Sequence, residues 1–278
     1  MHALFEGRES PQGVLTDAPP EDHARPLDGL RVLVTRPAAQ AEAIARAFTA
    51  AGAVVDPLPT VRIIDPDDLR PLTAALSRIR SYRWVVLTSA NGAERLATAL
   101  QGSHPGQPSM MELRIAAVGP ATGATLQRLG VTPEVVPAVH HGEALAEALI
   151  TADPALAGKH VLLARAADAR PELPARLSEA GAVVDDVPIY ETCVDRSSEG
   201  ALRAIIEEGA VDWITFTASS TVRAFVEMVG TETGGARIAT IGPVTAATVR
   251  ELGLPEPVVA KTATAKALVV AVVAGVAS

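Results

Sequence analysis

The chain has 278 residues, 48% of them hydrophobic but only 3% aromatic, so its core must be built from Ala, Val, Leu and Ile. A formal net charge of −8 excludes a general nucleic-acid binder, whose footprint is a basic surface. The single cysteine, Cys193, excludes an intramolecular disulfide and a zinc site made of paired cysteines, and it points to a cytoplasmic protein. Residues 1–28 carry Pro11, Pro19, Pro20 and Pro26 among charged side chains without periodicity, and they read as a disordered tail rather than a signal peptide. Apolar runs at 31–35, 54–58, 84–88, 115–118 and 134–136 then alternate with amphipathic segments of helical length at 38–51, 90–100, 121–129 and 143–150. The runs return at 161–164, 183–187, 213–217, 238–241 and 257–259. The last apolar stretch, 267–277, is well short of the ~20 residues a membrane span needs. Short runs of this kind suit parallel strands buried on both faces, and strand–helix alternation gives an α/β fold with right-handed crossovers.

An internal duplication runs through these elements. Val32-Leu33-Val34-Thr35-Arg36 returns as Val161-Leu162-Leu163-Ala164-Arg165, an offset of 161 − 32 = 129. Ala51-Gly52-Ala53-Val54-Val55-Asp56 returns as Ala180-Gly181-Ala182-Val183-Val184-Asp185 at the same offset, and so does Trp84 as Trp213. Arg114-Ile115-Ala116 returns as Arg237-Ile238-Ala239 at 237 − 114 = 123, after a six-residue deletion. Two similar flavodoxin-like units with parallel five-stranded sheets follow. Gly52, Gly130, Gly181 and Gly253 fall just past helix ends, where a left-handed cap favours glycine.

Polar residues gather where strands end and helices begin: Thr35-Arg36, Thr88-Ser89-Ala90-Asn91, Gly119-Pro120-Ala121-Thr122, Arg165, Thr217-Ala218-Ser219 and Gly242-Pro243-Val244-Thr245. Open α/β sheets bind ligands at these strand ends, and helix N-termini there favour phosphate or carboxylate groups. For any one of these residues taken singly plain helix capping is the favoured reading, and both readings can hold for the same residue. No dinucleotide or P-loop fingerprint and no nucleophile elbow occurs. His140-His141 lacks the further ligands of a metal site, and Asp56 and Asp185, being equivalent, read as strand-closing residues. Tyr190 departs from the repeat, since its equivalent is Val61; from the residues alone a packing tyrosine is the favoured reading, and the alternative is a phenol that donates a hydrogen bond without titrating at neutral pH.

Taken together, Val32-Leu33-Val34-Thr35-Arg36-Pro37, Leu87-Thr88-Ser89-Ala90-Asn91-Gly92, Val118-Gly119-Pro120-Ala121-Thr122, Pro188-Ile189-Tyr190, Phe216-Thr217-Ala218-Ser219-Ser220-Thr221 and Gly242-Pro243-Val244-Thr245 resemble the uroporphyrinogen-III synthase (HemD) family. The resemblance implies two HemD-like domains joined by a two-stranded ladder, with residues 29–62 plus 192–278 forming one domain and 63–191 the other. It implies a cyclising lyase of haem biosynthesis. Hydroxymethylbilane would lose water, close through a spiro intermediate and yield uroporphyrinogen III with its terminal ring inverted. No metal or organic cofactor, nucleic acid or membrane is involved, and a monomer is expected. Tyr190 would help the hydroxyl leave. Arg36, Thr88, Ser89, Asn91, Thr122, Arg165, Thr217, Ser219 and Thr245 would hold the substrate's carboxylates. Two departures stand out: Ala166 follows Arg165 where the family often has glycine, and Ala218 stands where many members have Ser or Pro. The alternative is a non-catalytic regulatory or tetrapyrrole-binding protein of the same fold.

Overall fold

A computed structural model describes residues 25–102 and 108–277. In chain order the elements begin with β1 (Arg31–Val34), α1 (Ala38–Ala50), β2 (Val54–Pro57), β3 (Val61–Ile64), α2 (Arg70–Ser77), β4 (Trp84–Leu87), α3 (Ala90–Gln101), β5 (Ile115–Ala117), α4 (Pro120–Arg128) and α5 (Gly142–Ala152). They continue with β6 (His160–Ala166), α6 (Glu172–Glu179), β7 (Val183–Val194), α7 (Glu199–Glu207), β8 (Trp213–Phe216), α8 (Ser219–Val229), β9 (Arg237–Thr240), α9 (Pro243–Glu251), β10 (Val258–Val259) and α10 (Ala265–Val276).

The strands form two five-stranded sheets. The first, ordered β10-β9-β8-β1-β2, is parallel throughout. The second, ordered β3-β7-β6-β4-β5, is parallel except that β3 runs antiparallel to β7. Each sheet mixes the two copies of the repeat. The first takes β1 and β2 from the first copy and β8, β9 and β10 from the second; the other sheet does the reverse. The chain leaves the first sheet after β2 and enters the second as β3. It returns along β7, whose first part pairs with β6 and whose end pairs with β3, from Ile64↔Glu191 to Val61↔Val194. The crossing is held by Thr60, fully buried, whose hydroxyl is shared between the carbonyls of Thr221 (3.1 Å) and Thr35 (3.3 Å).

Burial follows the strand period of two. In β1, Leu33 joins one apolar cluster while Val32 and Val34 join another on the opposite face. In β4, Val85 and Leu87 face one way and Trp84 and Val86 the other. Both sheets are therefore covered on both faces, as parallel sheets require. The repeat extends to details. Arg114 stacks on Trp84 at 3.9 Å and Arg237 on Trp213 at 4.6 Å, a cation–π pair in each copy. Gly52 and Gly181 both adopt positive φ, +102° and +84°, and a Cβ on Gly52 would lie 2.8 Å from that of Arg25.

Three expectations need correction. Residues 1–24 lie outside the described residues, but 25–28 do not belong to a disordered tail. They form a turn in which the Leu27 amide donates to the Ala51 carbonyl (3.0 Å) and the Leu27 side chain is fully buried. Residues 134–136 make only an isolated bridge, Ala116↔Val135, because Pro133 and Pro137 flank the run and Pro137 has no amide to extend a ladder. The fifth place in the second sheet belongs to β3 instead, which makes that sheet mixed. No helix among the described residues is long and apolar enough to cross a membrane.

Candidate active site

Numbered by their own strands in chain order, the first sheet reads 2-1-3-4-5 and the second 1-5-4-2-3, and each has a switch point where neighbouring strands send their connections in opposite directions. In the first it lies between β1 and β8, beyond which come Arg36 and Ser219. In the second it lies between β6 and β4, where Arg165 and Thr88-Ser89 stand. Two cavities, of about 500 and 680 Å³, open at these ends and share Arg170 and Val244. Thr88 and Arg165 line the smaller, Ser219 and Thr248 the larger. Val244 sits at the start of α9 on the first sheet, so the two strand-end surfaces face one another across one cleft.

Tyr190 follows an irregularity in β7, where pairing with β6 slips from Arg165↔Pro188 to Ala166↔Tyr190. Its ring is 6% exposed and its hydroxyl donates to Ser89 Oγ at 2.9 Å. Ser89 is the N-cap of α3, and its oxygen also accepts the Gly92 amide at 3.0 Å. With both contacts made to the oxygen, the Ser89 hydrogen remains free to donate. Burial pushes the Tyr190 phenol above its usual range, offset in part by the Ser89 hydrogen bond, so it stays protonated at neutral pH.

A second polar chain crosses between the sheets. Arg36 Nε donates to Gln40 Oε1 at 3.1 Å, and Gln40 Nε2 donates to Asn91 Oδ1 on α3. Arg36 is half-buried, burial lowers its guanidinium pKa, and no carboxylate among the described residues pairs with it. Its repeat equivalent, Arg165, is treated differently. Arg165 is 7% exposed, pairs with Asp186 through both Nε (2.6 Å) and Nη2, and donates through Nη1 to the Arg170 carbonyl at 2.5 Å. The residue equivalent to Asp186 in the first copy is Pro57, because 186 − 57 = 129. That difference leaves Arg36 unpaired.

Not every expected ligand reaches the cleft. Thr88, Arg165 and Ser219 line it; Ser89, Asn91, Arg36 and Tyr190 form the polar chains beside it. Ser219 Oγ accepts from Thr248 at 2.7 Å. Thr217 is half-buried just past the end of β8, and its side chain makes no hydrogen bond among the described residues. Thr122 and Thr245 point inward, 3% and 5% exposed at the third position of α4 and α9, so any grip at those turns comes from backbone N–H groups. Gln40 and Arg170 were missed by motif reading. Gln40 has Ala169 as its equivalent (169 − 40 = 129), the kind of departure from the repeat that singled out Tyr190. Arg170 lies in a loop with no motif to mark it.

Residues 42–270 match the family described as uroporphyrinogen-III synthase HemD. The chain is 33% identical to a uroporphyrinogen-III synthase of Synechococcus elongatus over 239 residues, 82% of this chain and 88% of that one. The chain belongs to the uroporphyrinogen-III synthase family. Its fold is that of the uroporphyrinogen-III synthetase of Helicobacter pylori (TM-score 0.61, 21% identity, 88% of this chain and 99% of that one). A mutant uroporphyrinogen III synthase from Thermus thermophilus shares it too (TM-score 0.59, 19% identity, 89% and 99%). The family match runs from α1 to α10 of this synthase-family chain and takes in every strand but β1, which lies just before it.

Proposed function

We propose that the protein converts hydroxymethylbilane to uroporphyrinogen III, inverting the terminal pyrrole ring. The observation that carries this reading, within the family, is the half-buried Arg36 beside the cleft, which pairs with no carboxylate among the described residues. A desolvated, unpaired cation is costly in the free protein and is relieved by an anion, as a polycarboxylate supplies. Helix N-termini at Thr88-Ser89, Ala218-Ser219 and Gly242-Pro243 add donors for further carboxylates.

Catalysis requires departure of a hydroxyl as water, closure on a substituted carbon and exclusion of the competing closure. The Ser89 hydrogen, oriented by Tyr190 and the Gly92 amide, is the donor available to the leaving hydroxyl. The electron-rich pyrroles supply much of the driving force, and the protein's main contribution is to hold the chain in a productive conformation. Residues 29–62 with 192–278, and 63–191, act as the two closing domains. The membership of the two sheets and the β3–β7 ladder support that division. A cytoplasmic monomer fits the single cysteine.

The test is a coupled assay in which hydroxymethylbilane is generated in situ and uroporphyrin isomers are separated after oxidation. Predominantly isomer III is the expected result. Isomer I alone, at the spontaneous rate and from folded protein, would leave a tetrapyrrole-binding protein of this fold without the chemistry.

A further inference from the structure

The loop between β6 and α6, residues 167–171, carries a second guanidinium without a partner. Arg170 is exposed, lines both cavities, and pairs with no carboxylate among the described residues. Most other arginines in the described residues are ion-paired: Arg223, which lines the larger cavity too, bridges to Glu251 at 3.1 Å. The loop itself is pinned. The Ala167 amide donates to the Tyr190 carbonyl at 3.0 Å and the Ala169 amide to that of Ala166 at 3.2 Å. The Arg170 carbonyl receives Arg165 Nη1, and Arg165 is locked in turn by Asp186.

We infer that Arg170, and not Arg165, is the side chain that takes a substrate carboxylate on this wall of the cleft, and that Arg165 is its positioning residue. Arg165 has its charge neutralised by Asp186 and three of its five N–H donors committed within the protein, so it has less to offer a ligand than an unpaired arginine. Its geometry serves instead to fix the backbone that carries Arg170, which lines the smaller cavity together with Val244 and Thr88. Arg170 and Arg36 then bracket the cleft from the two sheets, each free for one carboxylate. An arginine can meet a carboxylate through two parallel hydrogen bonds, which fixes orientation as well as affinity. The inference rests on the synthase reading for its substrate.

The experiment compares the wild type with Arg170→Ala, Arg170→Lys, Arg165→Met and the double variant Arg165→Met/Arg170→Ala. Two readouts are taken: steady-state formation of isomer III, and binding of uroporphyrin III, an octacarboxylate that is not turned over, at two salt concentrations. Arg170→Ala is expected to raise KM and weaken uroporphyrin III binding about ten-fold or more, the scale of a lost charge-assisted hydrogen bond. Its kcat should stay within about two-fold, because a contact made equally in ground and transition states leaves kcat unchanged. Lysine should restore part of the affinity, and the salt dependence of binding should flatten in the alanine variant. Arg165→Met should weaken binding only where Arg170 is present, so that the double variant binds no worse than Arg170→Ala. Unchanged KM and affinity in Arg170→Ala, which alters an exposed position and is expected to fold normally, would overturn the inference whatever becomes of Arg165→Met. A wild type that yields only isomer I yet loses uroporphyrin III affinity on Arg170→Ala would overturn the synthase reading and leave the carboxylate contact standing.

Discussion

Arg36 and Arg165 occupy equivalent places in a duplicated chain, yet one is unpaired and the other is locked by Asp186. The cause is one substitution between the copies, Pro57 for Asp186. Installing the missing carboxylate should reverse it: Pro57→Asp is expected to pair with Arg36 internally and raise KM about ten-fold, with thermal stability kept or improved. A KM equal to that of the wild type would remove Arg36 from the binding surface. Tyr190→Phe leaves the ring packed but takes the hydrogen bond from Ser89, so the Ser89 hydroxyl is no longer oriented toward the leaving group and kcat should fall about ten-fold or more while KM moves little. Because burial raises the phenol pKa, the donor form persists at all pH values below it. The kcat profile should therefore show no alkaline fall due to Tyr190 between pH 7 and 10. An alkaline limb in that range that vanishes in Tyr190→Phe would contradict this assignment.

Elements were more legible than side-chain directions. The apolar runs marked nine of the ten strands, because parallel strands buried on both faces carry little else. β3 came only from family resemblance, since Val61-Arg62-Ile63-Ile64 is a half-exposed ladder without the density of a buried run. The run 134–136 failed because two prolines outweigh its valine content. The Gly-Pro-x-Thr turns were correctly placed at helix starts, but no local pattern shows that Thr122 and Thr245 would point inward at the third helical position. Gln40 and Arg170 belong to no motif, because each acts across elements remote in sequence; only the departure of Gln40 from the repeat marked either of them. At this scale α10 offers a stability test. Gly275 packs directly on Trp213, and an added Cβ would lie 2.5 Å from its Cη2. Gly275→Ala should therefore cost about 1–3 kcal/mol by overpacking, read as a lower urea midpoint at constant m. An unchanged midpoint would mean that α10 adjusts without strain.

Across the whole molecule, the two sheets are joined by the crossing at Thr60, the β3–β7 ladder and side-chain contacts such as Gln40 to Asn91. A joint of this size favours hinge motion, and the side-chain bridge biases it toward the closed arrangement. Gln40→Ala should increase the radius of gyration measured by small-angle scattering and raise the share of isomer I, since a looser cleft protects the intermediate less well. Identical scattering and isomer ratio in the variant would show that the ladder alone sets the geometry.

The mixing of repeat copies within each sheet has a further consequence. A single copy of the repeat encodes every strand needed for one such sheet, but in this chain its first two strands and its later ones lie in different sheets. Two separate copies that traded their leading β-α-β arms would build the same pair of sheets. In topological terms the protein is an arm-exchanged dimer whose two subunits have been fused end to end. Severing the chain between the copies, near Gly158, would therefore not release two independent folds. It would release two fragments that can rebuild this exchanged pair of sheets only by finding each other.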